Sequence, residues 1–204
     1  MPQVLKDQVE ARIRDAALDV LADVGLPGAR MNEIAARAGV SAGNLYHYFA
    51  GKQTLFDAVV PRSLAARLRR LLRQRIAAGS RAGASNDPDA VGAYAVTAEA
   101  TVAFALAHRR ETIILLARAE GTPHAALAGD VIALLIAGAA RHWKTLHPGR
   151  PLPATLRFQL ELVYRSYVRG WVALLERFPG EREFRAALAG YERYHLAGLA
   201  ALLA

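Results

Sequence analysis

The feature that most narrows the fold of this chain is a helix stop and a helix start packed into three residues, Gly39-Val40-Ser41. Upstream, Ile34, Ala35 and Ala38 put apolar or small side chains on one face of a helix beginning near Met31. Gly39 stands where a helix C-terminus needs positive φ, a conformation that glycine adopts without steric cost. Ser41 is placed to cap the next helix by accepting from its free amides. That helix covers about 42–49, and Leu45 and Phe49, four apart, turn one of its faces inward. Its other face carries Asn44, Tyr46, His47 and Tyr48. A hairpin held only by its core has no use for a polar-aromatic face, so helix-turn-helix DNA binding is the functional reading.

At residues 38–56 the run AGVSAGNLYHYFAGKQTLF resembles the DNA-binding signature of the TetR family of bacterial transcriptional regulators. The close match covers about 8–60; beyond it the likeness is one of length and helical pattern. The resemblance implies an all-α protein. A three-helix DNA-binding domain would occupy 8–60, with its helix-turn-helix at about 30–49. A helical domain over 61–204 would dimerise and bind an effector. The function it implies is sequence-specific regulation of transcription, as a repressor released from operator DNA by a small molecule. The alternative is a regulator without such an effector, its second domain serving dimerisation or a protein partner.

Residue roles follow. Ala42 and Gly43 let the backbone approach DNA closely, while Asn44 and Tyr46 can reach base edges or thymine methyls. His47 and Tyr48 are better placed for phosphates and sugars, Tyr48 having the alternative of packing on the first helix. Lys52 opens the next helix after Gly51, where its ammonium and the helix amides converge on one phosphate. Family members usually carry Ser or Thr just before the second helix, as cap and phosphate ligand. Here Ala29 and Arg30 stand instead, Arg30 either meeting a phosphate in its own way or remaining solvated. Ser41 completes the DNA-facing set.

Charge tempers this picture. The net charge is +8, yet residues 1–60 carry six Lys or Arg against seven acids. Seven Arg and no acid fall within 61–81, chiefly on RSLAARLRRLLRQR. That block reads as a solvated helix face or as a long-range electrostatic feature, and says nothing about base contacts.

Composition closes other routes. No cysteine is present, so there is no disulfide framework, thiol nucleophile or thiolate metal site. No glycine-rich phosphate loop follows a strand pattern, and no HExxH pair or GxSxG elbow appears, so nothing points to an enzyme or a cofactor. His108 and Glu111, three apart, are too few for a metal site. The N-terminus lacks a signal-peptide pattern, and the most apolar window, 131–140, is too short to span a bilayer, so a cytoplasmic protein is expected.

Helical periodicity predicts a first helix at about 8–24, with Val9, Ile13, Ala16, Ala17, Val20, Leu21 and Val24 buried, after a frayed arm at 1–7. A helix over about 52–78 should bend near Pro61, which marks the domain boundary. Residues 79–89 read as an exposed, disordered loop. Further helices are expected at about 89–108, 110–119, 123–147, 153–178 and 181–203.

By resemblance, an effector pocket lies in the second domain. Tyr94, Thr97, Thr101, Phe104 and His108 share one helix face, and Trp143, Tyr164, Tyr167 and Trp171 could complete an apolar wall. Core packing of these aromatics is the alternative. No acidic cluster faces them, which favours a neutral or anionic apolar or aromatic ligand. Dimerisation through 153–178 and 181–203 is likewise implied. The small-residue ridges Ser166/Gly170/Ala173 and Ala187/Gly190/Ala197/Gly198 would permit close helix approach, either between subunits or within one.

Overall fold

The computed structural model describes residues 3–82 and 88–204. Among the described residues there are ten helices: α1 (Gln3–Gly28), α2 (Met31–Ala38), α3 (Ala42–Tyr48), α4 (Lys52–Val59), α5 (Arg62–Ala82), α6 (Pro88–Ala107), α7 (Arg109–Ala117), α8 (Leu127–Leu146), α9 (Ala154–Arg177) and α10 (Glu181–Leu203). No strand occurs among the described residues, and the fold is all-α.

The chain divides into two compact units. One holds the N-terminal residues as far as Arg67 together with Arg110–Ala126; the other holds Leu68–Arg109 and Leu127–Ala204. The division differs from a cut at 60/61 in two ways. The first turns of α5, with buried Ala65, stay with the N-terminal unit, and a sequence-distant segment containing α7 joins it. Arg110 explains the second. Its Nη1 donates to Asp19 at 2.7 Å and its Nη2 to Asp15 at 2.6 Å, fastening α7 to α1. Arg118 Nε adds a bond to the Asp23 carbonyl at 3.2 Å.

In the N-terminal unit, α1 buries the expected stripe, with Ile13, Ala17 and Val20 fully inside. Two expectations change. Helix begins at Gln3, because no breaker interrupts the run leading into Val9, so residues 3–7 are not frayed; residues 1 and 2 lie outside the described set. Val24 is 49% exposed, because Gly25 takes φ 67° and turns the chain immediately after it. A side chain at Gly25 would stand 3.1 Å from the Arg118 carbonyl oxygen, so glycine is needed there for both φ and space.

The expected bent helix over 52–78 is two helices. Pro61 has no amide to donate, and a residue before proline is pushed out of the helical region. Val60 accordingly has φ −123° and ψ 69°, and α5 restarts at Arg62 with Leu64 and Ala65 donating to the Pro61 carbonyl. The 79–89 loop is also shorter than expected. Gly79–Ala82 continue α5, with Ser80 Oγ donating to the Ile76 carbonyl at 2.9 Å, and Pro88 and Asp89 open α6. Gly79 is there for contact, since a Cβ would meet the Tyr94 ring at 3.2 Å. Residues 83–87 lie outside the described set. Residues 123–126 form a turn, and α8 starts at Leu127.

In the second unit α8 packs on α9 and α9 on α10, burying Leu160, Val172, Leu175, Phe184 and Leu188. Gly170 belongs to this internal seam. A Cβ there would stand 2.2 Å from Tyr191 Oη, which donates to the Ser166 carbonyl at 2.9 Å. Gly190 and Gly198 have open space around them instead. Among the described residues one helix, Pro88–Ala107, is long and apolar enough by length and composition to cross a bilayer; the 131–140 window is not.

Candidate nucleic-acid interface

The reading head is set by the two ends that meet at Gly39. Gly39 has φ 65° and donates to the Ala36 carbonyl, and Val40 donates to Ala35 at 3.0 Å. These two bonds form a Schellman motif that satisfies the last carbonyls of α2. Ser41 Oγ accepts from the Asn44 amide at 3.2 Å and so caps α3. Leu45 and Phe49 are buried beneath α3, and the Arg14 guanidinium lies 5.6 Å from the Phe49 ring centre. Arg14 also donates to the Ala58 carbonyl at 2.7 Å, tying α1 to the end of α4.

With that side pinned, the opposite face of α3 is turned out. Tyr46 is 50% exposed, and His47 is exposed with its ring edge-on to Tyr48 at 5.9 Å. Tyr48 and Asn44 are half-buried. Gly43 and Gly51 have nothing within 4 Å of a would-be Cβ, so the fold itself does not require glycine at either place. Lys52 starts α4, whose cap residue Gly51 offers no side-chain bond, and its Nζ donates to the Pro27 carbonyl at 3.2 Å. Arg30 is exposed and extended (φ −120°, ψ 131°) at the N-cap of α2, again without a side-chain cap. Arg30, Met31, Asn32, Glu33, Tyr46 and Lys52 line one open cleft. It gathers two cations and a phenol beside the N-terminus of α2, donors that suit an anionic oxygen, together with one carboxylate, Glu33, whose charge in the first turn of α2 is engaged by Arg37 at 3.1 Å.

The residues expected around an effector fall into separate groups. Tyr94 and Trp171 face Arg75, whose guanidinium lies 5.9 Å and 5.1 Å from their ring centres. Arg75 forms an ion pair with Glu192, and the same Glu192 oxygen accepts from Tyr167 Oη at 3.3 Å. Tyr167 stacks on His195 at 4.0 Å, and Tyr164 stands 5.7 Å from that imidazole. Elsewhere, Thr97 and Thr101 turn their hydroxyls back onto α6 carbonyls, and Phe104 packs on His108 at 4.8 Å. Trp143 packs on His147 with ring centres 3.8 Å apart and planes tilted by 38°, its indole nitrogen buried without a hydrogen-bond partner.

Arg75, Glu192, Tyr191 and His195 are the residues that sequence reasoning missed. Arg75 had been read within a solvated basic face, but it is buried, and the apolar stripe Leu68, Leu71, Leu72, Ala78 passes through it. Burial alone would lower the Arg75 pKa; Tyr167 and Glu192 beside it outweigh that and leave it raised. Burial pushes the Tyr164 phenol up to about 12 and Tyr167 further still. It also pushes the His195 imidazole down to about 4, so that ring is neutral at pH 7.

Residues 13–59 match the family described as bacterial regulatory proteins, tetR family. The chain is 43% identical over 61 residues to the HTH-type transcriptional regulator BetI of Cronobacter sakazakii, covering 29% of this chain and 30% of that protein. It is 43% identical over 70 residues to BetI of Rhizobium meliloti, covering 34% of each. The matched stretch thus spans about a third of the length of these curated relatives. A TetR-like transcriptional regulator from Rhodococcus sp. RHA1 aligns over 98% of both chains, at 25% identity and a TM-score of 0.52. The helix-turn-helix residues and the whole-chain helical architecture lead to the same place: residues 13–59 carry the DNA-binding segment of the tetR family of bacterial regulatory proteins, and the chain as a whole is similar to a TetR-like transcriptional regulator.

Proposed function

We propose that this protein is a homodimeric repressor that binds a two-fold symmetric operator and releases it when a small molecule occupies its second unit. The observation carrying the DNA-binding reading is the outward face of α3, where Tyr46 and His47 are exposed and Asn44 half-exposed, opposite a core pinned by Leu45 and Phe49. Tyr46 and Asn44 read bases. Arg30, His47, Tyr48, Lys52 and the amides beside Ser41 hold phosphates, and Ala42 and Gly43 keep the helix close to the groove.

Dimerisation is supported by large apolar side chains left in water on α9 and α10: Phe158, Leu162, Tyr194 and Leu196. Phe158 and Leu162 are one helical turn apart and so form one patch. The effector reading is supported by the aromatic and ionic cluster around Arg75, to which Tyr94, Tyr164, Tyr167 and Trp171 contribute. Thr97, Thr101, Phe104, His108 and Trp143 complete the proposed wall outside that cluster. A protein effector is the second reading, and exposed Val91 and Val96 on α6 favour it.

Selection of DNA duplexes from a randomised pool by the full-length protein tests the main reading. The expected product is an inverted repeat whose half-sites are roughly 34–36 Å apart, or a multiple of one helical turn. A pool that shows no enriched motif after repeated rounds would refute operator recognition. Screening compounds for release of the selected duplex then separates a small-molecule effector from a protein one.

A further inference from the structure

The second unit contains a buried cation whose presence stability does not explain. The Arg75 side chain is 8% exposed, and its carboxylate partner Glu192 is 24% exposed. Withdrawing such a pair from water costs about as much as the attraction returns, so an apolar pair of the same volume would serve the core equally well. The surroundings are those of a recognition site. Tyr94 and Trp171 lie against the guanidinium. Glu192 engages through Oε1 alone, and that oxygen is shared with Tyr167. Arginine's planar fork is suited to two carboxylate oxygens, and here one oxygen serves it.

We infer that the Arg75 cluster binds a planar aromatic carboxylate, which takes the place of the Glu192 carboxylate on the guanidinium and lies against Trp171 and Tyr94. This rests on the effector reading above and narrows its ligand to one charge class. Charge accounting selects the anion. His195 is neutral, the buried Tyr164 and Tyr167 phenols are neutral, and Arg75 needs one negative partner. A carboxylate ligand preserves that balance when Glu192 turns outward, which its greater exposure permits. An uncharged ligand has no means of displacing Glu192, and a cation meets Arg75 directly. The ligand carboxylate takes the place that the Glu192 carboxylate leaves, and its ring enters by parting the Tyr94 and Trp171 side chains beside Arg75. Arg75 lies on α5, so the exchange acts on that helix.

Titration calorimetry on the full-length protein at pH 7, with three probes of one shape, tests this: 1-naphthoate, 1-naphthamide and 1-naphthylmethylammonium. The carboxylate should bind at least about tenfold more tightly than the amide, and the cation should not bind. Glu192→Gln removes the internal competitor while keeping its shape, and should tighten naphthoate by roughly tenfold with little change for the amide. Arg75→Met should abolish the preference for acid over amide. If that variant does not fold, as judged by circular dichroism, the Glu192→Gln comparison decides alone. The inference is overturned if wild type treats acid and amide alike, if Glu192→Gln weakens naphthoate, or if no probe binds either protein. Naphthoate binding that meets these marks while a selected duplex stays bound supports the site and counts only against ligand-driven release. A neutral compound that binds elsewhere in the unit and releases the duplex, with naphthoate inert, keeps the effector reading and removes this one.

Discussion

At the scale of single residues, two backbone and side-chain states carry more than their size suggests. Gly39 holds φ 65° with open space around its Cβ position, the nearest atom being Arg12 Nη1 at 3.7 Å. The cost of a side chain there is therefore conformational rather than steric. Gly39→Ala should destabilise the protein by about 1–2 kcal/mol, the cost of a left-handed residue with a Cβ. Urea unfolding reads this directly, and an unchanged midpoint would mean that the turn has no strain to relieve. His195 makes a pH prediction. Its folded pKa, about 4, lies below the ordinary 6.5, so the unfolded chain takes up the proton first. Its contribution is present in full above pH 6.5 and is lost as pH falls towards 4. Discounted for the ring's partial exposure, this amounts to about 1–2 kcal/mol. His195→Phe should retain more of its neutral-pH stability at pH 4.5 than wild type does; parallel losses in the two proteins would contradict the assignment.

At the scale of elements, the α9–α10 seam shows how one small residue sets a helix contact. Tyr191 lies where a side chain on Gly170 would have to be, and its hydroxyl holds the Ser166 carbonyl. Gly170→Ala forces the ring away and should cost about 1–3 kcal/mol, the usual penalty of overpacking. Tyr191→Ala in the same chain should recover most of that increment, because the clash is with one ring. A double-mutant cycle with zero coupling would place the cost elsewhere. A different logic holds α7. Arg109 Nη1 donates to the Leu175 and Phe178 carbonyls, while its neighbour Arg110 holds Asp15 and Asp19. One of the three places where the chain passes from one compact unit to the other therefore falls at the Arg109–Arg110 peptide bond, with a guanidinium anchored on each side of it.

At the scale of the whole molecule, the predictions concern assembly and DNA and rest on the proposed function. Replacing both Phe158 and Leu162 with Glu puts charge into the exposed apolar patch on α9. Sedimentation should then show a monomer, with weakened affinity for a selected operator. A dimer of undiminished affinity would move the interface off this face. Tyr46→Ala should cost about 1–3 kcal/mol on the selected site and relax its sequence preference. Lys52→Ala should weaken all duplexes alike and lower the salt slope by about one. Salt titrations of the two variants against specific and random duplexes separate base readout from phosphate contact. Lost discrimination in Lys52→Ala with an unchanged slope would reverse the two roles.

What the sequence determined by itself is everything carried by local signals. Gly39 and Ser41 announce the turn, since positive φ and side-chain capping are properties of the residues at those places. Leu45 and Phe49 declare the inner face of α3 through their spacing, and Pro61 declares the break because it lacks a donor wherever it stands. Period, together with the breaks at 121–123, 147–151 and 179–180, placed the remaining helices to within a few residues. Tertiary structure decided whatever depends on a partner far along the chain. Arg75 belongs to a visibly basic run, and only the arrival of Glu192, 117 positions away, makes it a buried ion pair. Gly170 read equally well as an external or an internal seam until Tyr191 lay over it. The segment carrying α7 joined the N-terminal unit because Arg110 found Asp15 and Asp19, more than 90 positions earlier. Helix periodicity is written in neighbouring residues, whereas which charge meets which, and which aromatic covers which glycine, is fixed only once the helices have chosen their faces.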